Sequence, residues 1–313
     1  MTLPGPFAPQ PGEHLLTWAA ANTDELRQRL RTDGVVWLRG FAAAEVDLAQ
    51  HLLTQLGAEL MEDVFFSTPR SAVAGKTYTA TEYPADQIIP LHSEMAYLTR
   101  YPRLLCFHAL VCPATGGHTT VADLDAVTAH LGDLPDLFHQ RKVRYTRVFH
   151  PGVDIPLSTA FGADDPAVIA GIAQRHGMTL HDGPDDPRLV YTAQGVLRDS
   201  VTGKLVWFNQ ASLHHPAQLP NATRAALTSL YGANGLPRQA HFADGQPISD
   251  EILHQISDVL ETNTQLIDWQ PGDVVLVDNL RYLHGRSTFC GDRTVHVAMG
   301  MPCHGAQRDP LFS

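Results

Sequence analysis

The 313-residue sequence has little cysteine, little basic charge and no long hydrophobic run. The four cysteines form no Cys-x-x-Cys pair, which argues against a disulfide framework or a zinc knuckle and favours reduced thiols in a cytoplasmic protein. With 22 basic and 33 acidic residues the net charge is −11, so neither a nucleic-acid partner nor an anionic membrane surface is expected. No apolar run approaches the roughly 20 residues of a membrane span. The first residues also lack the basic and apolar regions of a signal peptide.

The overall composition is typical of a globular protein. Hydrophobic residues make up 44% of the chain and charged residues 18%, which is enough to build a large core. The sequence contains no internal repeat and no obvious linker. We therefore expect a single domain over residues 1–313, with the proline-rich residues 1–13 forming a flexible arm.

The pattern of short apolar runs predicts a mostly β fold. A helix is expected at residues 22–32, with Asn22 as N-cap and Glu25 at the capping-box position, and another at 43–56, ending at Gly57. Further helices are expected near 123–131, 165–176 and 249–261. Strands are expected at 34–38, 104–111, 143–148, 205–209, 273–278 and 294–299. Many short strands with flanking helices predict a β-sandwich or jelly-roll core.

The stretch LHSEMAYL at residues 91–98 places His92 and Glu94 two residues apart. If the segment is extended, both side chains leave the same face. Composition alone predicts about two His-x-Asp/Glu pairs in such a chain, so this spacing does not by itself identify a metal site. The alternative is a partly buried histidine beside a solvated acid.

The stretch at residues 271–299 supplies further candidates. It contains His284, Arg286 and, at the start of an alternating strand, Arg293. Two histidines and one carboxylate form the facial triad of iron(II) oxygenases, and an arginine can clamp a carboxylate with two hydrogen bonds. We favour Arg293 over Arg286 as the clamp. The competing interpretation of Arg293 is a surface ion pair with Asp292.

Together these stretches resemble the iron(II)- and 2-oxoglutarate-dependent dioxygenases of the TauD/TfdA family, and within it the SyrP-like branch with a His-x-Glu metal motif. The matching segments cover roughly residues 60–300, in family order. They are YTATEYP (78–84), PLHSEMAY (90–97), GGHTTVAD (116–123), LVWFNQA (205–211), LPRQAHFADGQPI (236–248) and WQPGDVVLVDNLRYLHGRSTFCGDRTVHVAM (269–299).

The resemblance implies a double-stranded β-helix of the clavaminate-synthase-like kind, with iron(II), 2-oxoglutarate and O2 at its centre. It assigns the iron to His92, Glu94 and His284, and 2-oxoglutarate to Thr119 and Arg293. Three further residues are candidate substrate contacts: Thr79, Thr81 and Asn209.

The resemblance also implies hydroxylation of an unactivated C–H bond, with 2-oxoglutarate decarboxylated to succinate and CO2. The expected substrate is an amino acid, or a carrier- or peptide-bound amino-acyl group, in natural-product biosynthesis. Desaturation, epoxidation and cyclisation are alternatives, and a non-catalytic jelly-roll protein with a structural metal is a distant one. The sequence leaves the oligomeric state open.

Three details narrow the expected chemistry. Sulfonate-using relatives carry a second arginine four residues after the clamp, where this chain has Val297, so taurine is not an expected substrate. Halogenating relatives carry a small residue where this chain has Glu94, so no halide is expected at the iron. The pair His214-His215 is expected to be structural, since neighbouring residues on a strand point to opposite faces.

Overall fold

The computed structural model describes residues 3–10, 12–61, 65, 71–181 and 186–312. The helices are α1 Leu15–Ala21, α2 Thr23–Asp33, α3 Leu48–Gln55, α4 Leu124–His130, α5 Leu134–Arg141, α6 Leu157–Phe161, α7 Pro166–Arg175, α8 Ala211–His214, α9 Asn221–Tyr231 and α10 Asp250–Thr262. The strands are β1 Val35–Leu38, β2 Ala72–Ala74, β3 Thr77–Thr79, β4 Ile89–His92, β5 Arg100–Val111, β6 Thr115–Gly116, β7 Thr119–Asp123, β8 Val143–Val148, β9 Thr179–His181, β10 Arg188–Ala193, β11 Val196–Asp199, β12 Leu205–Trp207, β13 Arg238–Phe242, β14 Gln265–Ile267, β15 Val274–Asp278, β16 Tyr282–Arg286, β17 Phe289–Cys290, β18 Thr294–His304 and β19 Gln307–Arg308.

Two of the sheets form the centre of the fold. Within the described residues, a six-stranded sheet has the order β1-β15-β5-β18-β3-β2, and a four-stranded sheet has the order β14-β7-β16-β4. Their inner faces share one apolar cluster, to which Phe107 and Val297 contribute from the larger sheet and Val121 from the smaller, and Phe107 lies against His284 with ring centroids 5.4 Å apart. Antiparallel sheets packed face to face with helices outside them confirm the predicted jelly-roll core.

Three smaller sheets complete the described strands, with the orders β13-β8-β10-β9, β12-β11-β19 and β17-β6. In the first of these, β13 pairs with β8 so that Arg238 lies opposite Arg147. This sheet brings charged residues from two distant parts of the sequence to the same place.

The apolar run in β15 is continuous because the strand is buried on both faces. Val275 and Val277 join the cluster between the sheets, whereas Val274 and Leu276 join a second cluster under the N-terminal helices. Helices α1, α2 and α3 therefore cover the outer face of the larger sheet. This covering explains why the strand shows no alternation of apolar and polar residues.

Most of the longer predicted elements are confirmed. The strand predicted at 143–148 is β8, and the helix predicted at 249–261 is α10, whose N-cap Ser249 accepts a hydrogen bond from Ile252 N. Gly57 has the predicted left-handed conformation, with φ of 73°. The predicted strand at 205–209 ends earlier, at Trp207.

The N-terminal prediction was wrong in two respects. Helix α1 was missed, and the side chain of Asn22 donates back to Trp18 O in that helix instead of capping α2. The helix predicted at 43–56 begins only at Leu48.

The flexible arm over residues 1–13 stays a prediction, and its residues 1, 2 and 11 lie outside the described ones. Phe7 pairs with the main body, since its N donates to Trp37 O and its O accepts from Arg39 N. Across the described ranges, no helix is long and apolar enough to span a lipid bilayer.

Candidate active site

The three predicted iron ligands converge at one end of the smaller sheet. His92 on β4 lies directly opposite His284 on β16, and their ring centroids are 4.4 Å apart. Nε2 of His284 lies 3.6 Å from Oε2 of Glu94, and one ligand atom from each of the three residues lies within 4.8 Å of the others. These distances between the ligand atoms are longer than a hydrogen bond, but they suit three atoms that bind the same ion.

The tautomer of His92 also fits a metal. Nδ1 of His92 lies 2.9 Å from Pro90 O, so it carries the proton and Nε2 is left as the ligand atom. Nδ1 of His284 is buried with no hydrogen-bond partner among the described residues. Imidazole and carboxylate donors suit iron(II), and a triad of them leaves positions for a chelating co-substrate and O2.

Glu94 reaches the site differently from the prediction. Strand β4 ends at His92, and Glu94 lies in the following turn, so the two residues do not share a strand face. The buried side chain of Asn279 fixes this turn: its Oδ1 accepts from Glu94 N at 2.6 Å, and its Nδ2 donates to Glu94 O at 3.0 Å and to Pro102 O at 2.8 Å. Sequence analysis missed Asn279, since its spacing from Glu94 carries no signal.

A cavity beside the triad contains the predicted co-substrate residues. We call it the Arg293 cavity; its described lining is Ala80, Thr81, Ile89, His92, Phe107, Thr119, His284, Gly285, Arg286, Arg293, Val295 and Val297. Arg293, Val295 and Val297 thus face the same side, as the alternating strand predicted.

Arg293 is a desolvated cation without an acidic partner among the described residues. Its Nε donates to Gly117 O at 3.1 Å, and no ion pair joins it to any described carboxylate, Asp292 included. Burial, and next the charge of Arg286, lower the pKa of Arg293 to about 10. Such a group stabilises a bound anion strongly.

Thr119 presents its hydroxyl to the same cavity. Its Oγ accepts a hydrogen bond from Trp269 Nε1 at 2.9 Å, which leaves the hydroxyl hydrogen to be donated. The loop before it requires glycine. Gly116 has φ of 71°, and a Cβ there would lie 2.2 Å from Thr288 O.

Arg286, the alternative clamp, is engaged elsewhere. Its guanidinium donates to three backbone carbonyls, those of Tyr83, Pro84 and Gln87, at 3.0, 2.6 and 2.8 Å. Arg286 therefore anchors the segment 83–87. This geometry supports the preference for Arg293.

A second cavity opens on the other side of His92. We call it the Arg238 cavity; its described lining is Thr81, Tyr83, Ile89, Pro90, His92, Glu94, Gln210, Leu213, His214 and Arg238. Two of its polar residues, Gln210 and Arg238, were missed. Both lie inside segments that resemble the family, LVWFNQA and LPRQAHFADGQPI, and that resemblance was the available signal.

The three candidate substrate contacts have different positions. Thr81 lines both cavities. Thr79 is absent from the described linings, and its hydroxyl donates to Glu82 at 3.0 Å. Asn209 is also absent from them: its Nδ2 donates to Gly195 O and its Oδ1 accepts from Ala211 N. Their contact with substrate stays a prediction.

His214 and His215 do not lie on a strand, as was predicted, but at the end of helix α8. His214 is buried against Tyr97 and Tyr145, and burial lowers its pKa to about 3, so it is neutral. His296 is also buried, and its Nδ1 lies 3.0 Å from Val46 O.

Comparison with known proteins identifies the family of this chain. Residues 2–299 match the family model described as taurine catabolism dioxygenase TauD, TfdA family. The chain is 31% identical over 284 residues to the dapdiamide synthesis protein DdaC of Enterobacter agglomerans, covering 90% of this chain and 86% of the relative. It is 27% identical over 217 residues to a tyrosine isonitrile desaturase of Pseudomonas aeruginosa, covering 68% and 58%.

Solved structures agree on the fold. An asparagine oxygenase in complex with Fe(II), 3-hydroxyasparagine and succinate aligns with a TM-score of 0.54 at 12% identity, over 91% of this chain and 79% of that one. The family model covers nearly the whole chain, and the relative from Enterobacter agglomerans matches over most of its length. The chain therefore belongs to the TauD/TfdA family and is an iron(II)- and 2-oxoglutarate-dependent oxygenase.

Proposed function

We propose that this enzyme hydroxylates an unactivated C–H bond of an amino acid, or of a carrier- or peptide-bound amino-acyl group, in natural-product biosynthesis. The observation that carries the proposal is that two cavities share His92: one contains the cation Arg293, which pairs with no described carboxylate, and the other is lined by Glu94. Similarity to a dapdiamide synthesis protein supports the pathway class.

In this proposal His92, Glu94 and His284 hold iron(II). Arg293 binds the distal carboxylate of 2-oxoglutarate, and Thr119 donates its hydroxyl hydrogen to the same molecule. When bound, iron with 2-oxoglutarate and O2 supplies an oxidant strong enough to break an unactivated C–H bond. The apolar side chains of Phe107, Val295 and Val297 keep water away from the co-substrate and strengthen its ion pair with Arg293.

The substrate is proposed to occupy the Arg238 cavity. Its target carbon would face His92 and Glu94, because these metal ligands form one wall of that cavity. Thr81 lies at the boundary with the Arg293 cavity and would contact both molecules. In this arrangement the substrate and the co-substrate would occupy separate cavities that share His92 and Thr81.

Desaturation is the second candidate reaction, since one relative is a tyrosine isonitrile desaturase. Epoxidation and cyclisation need the same residues and differ in how the substrate is placed. We also propose a cytoplasmic location, which agrees with four unpaired cysteines in the described chain.

Anaerobic addition of iron(II) and 2-oxoglutarate tests the proposal. The wild-type protein should develop the weak visible charge-transfer band of the chelate, and a substrate screen should then reveal succinate release coupled to oxidation. His92→Ala should abolish both signals. The control is His51→Ala. His51 is an exposed residue of α3 that pairs with Asp47, so its replacement should leave the charge-transfer band and succinate release unchanged. A wild-type protein that binds iron but shows neither the band nor succinate formation would instead be a structural metal protein.

A further inference from the structure

The Arg238 cavity has one permanent positive charge in its described lining. Among those residues, Arg238 is the only lysine or arginine, and His214 is neutral because burial lowers its pKa to about 3. Glu94 is the only carboxylate in the same lining, and as an iron ligand its charge is offset by the metal. A substrate entering this cavity therefore meets a cation opposite the metal ligands.

Arg238 belongs to a cluster in which two arginines share one carboxylate. Nε and a terminal nitrogen of Arg238 donate to Asp154 at 3.1 and 2.9 Å, and Arg147 donates to the same carboxylate at 3.0 and 3.1 Å. The side chain of Arg147 is only 2% exposed, whereas that of Arg238 is 28% exposed. Arg147 is thus the buried partner of Asp154, and Arg238 is the one that faces the cavity.

The charges of this cluster determine the protonation state of Arg238. Arg238 and Arg147 are directly opposite each other on β13 and β8, and like charges in that relation repel. Burial disfavours the charged form of Arg238, but the hydrogen bonds and charge of Asp154 outweigh it and raise the pKa of Arg238. Arg238 therefore stays charged at every pH at which the enzyme would work.

We infer that Arg238 binds the α-carboxylate of the substrate and so selects an amino acid or N-acyl amino acid with that group free. The inference rests on the proposed function, because it takes the Arg238 cavity as the substrate site. A guanidinium already held by Asp154 is oriented before the substrate arrives, which reduces the entropy lost on binding. The partner is a carboxylate because the planar guanidinium matches its two oxygens.

The inference also separates the substrate forms. A carrier thioester or a peptide bond consumes the α-carboxylate of an amino acid. The free amino acid, or an amino acid acylated on its nitrogen, retains it. We therefore place the free acid, and not the carrier-bound form, in the Arg238 cavity.

The test compares matched acids and amides on the anaerobic complex with iron(II) and 2-oxoglutarate. The probes are the proteinogenic L-amino acids and their N-acetyl derivatives, each as the free acid and as the primary amide, and the readout is the perturbation of the charge-transfer band on binding. In the wild-type protein at least one acid should bind about tenfold more tightly than its amide, as expected for one charge-assisted pair.

Two variants assign that preference to Arg238. Arg238→Met removes the charge at similar length, should fold because Asp154 keeps Arg147, and should reduce the preference for the acid to within about twofold. Arg141→Met is the control. It removes an arginine that is likewise paired with an aspartate, Asp244, but lies outside the described lining of both cavities, so it should keep the wild-type preference for the acid. Both variants should retain the charge-transfer band.

Two outcomes overturn the inference while the proposed function stands. In the first, the wild-type protein shows the charge-transfer band, but no acid binds more tightly than its amide, which includes the case in which no probe binds. In the second, the preference for the acid survives in Arg238→Met. Absence of the band from the wild-type protein would overturn the proposed function and the inference together.

Discussion

Replacing Asn279 with alanine should damage both the stability of the protein and its affinity for iron. Asn279 is fully buried and lies 185 residues from Glu94 in sequence, yet its amide makes hydrogen bonds to both the N–H and the C=O of that residue. A third bond reaches Pro102 O. The substitution removes all three bonds without touching a metal ligand.

The expected magnitude follows from the three hydrogen bonds that the substitution removes. Removing a partner of a buried donor or acceptor costs roughly 1–3 kcal/mol. Three such groups, partly relaxed, give a loss of about 3–5 kcal/mol in the free energy of unfolding. The turn that carries Glu94 is then free to shift, and loss of a group that orients a ligand lowers metal affinity by about 10- to 100-fold.

Urea denaturation of the metal-free protein and anaerobic titration with iron(II) measure these two effects. Asn279→Asp keeps the oxygen that accepts from Glu94 N but loses both donated bonds, so it should also weaken iron binding. Asn263→Ala is the matched control, because the Asn263 side chain bonds to Val259 O and to His130 Nδ1 at the half-buried end of α10, away from both cavities. Wild-type iron affinity in a folded Asn279→Ala protein would refute the positioning role.

Four further outcomes are expected. His284→Ala should abolish iron binding and succinate formation with the fold intact by circular dichroism; turnover near wild type would remove His284 from the triad. Arg293→Ala should raise the KM for 2-oxoglutarate by roughly 10- to 100-fold, the value of one charge-assisted clamp, and Arg286→Ala should raise it less; the reverse order would reassign the clamp. Taurine should not be turned over, because Val297 offers no charge to a sulfonate, and sulfite release would contradict this. Products formed in chloride-rich buffer should carry no halogen by mass spectrometry, since we expect Glu94 to fill the metal position that a halide would need.

Local features of the sequence were sufficient for the long strands of the larger central sheet and for helices α2, α7 and α10, whereas the strands of the smaller central sheet and helix α9 were not among the predicted elements. The continuous apolar run of β15 and the alternation of β18 depend on residues that are near neighbours, so their patterns predict strands whatever the rest of the chain does. Helix α10 carries its own capping residue, Ser249. The metal residues were assigned by resemblance, because the spacing of His92 and Glu94 is not informative by itself.

Tertiary structure decided how those residues come together. The register of β4 on β16 sets His92 against His284, and Asn279 holds the turn that brings Glu94 to them. Neither relation leaves a local pattern, because each joins segments almost 200 residues apart whose distance depends on how the two sheets pair and pack. Arg238 reaches the cavity for the same reason: only the pairing of β13 with β8 places it beside Asp154 and in front of the metal ligands. The sequence by itself determined which side chains are available for chemistry, and the packing of distant strands determined which of them meet.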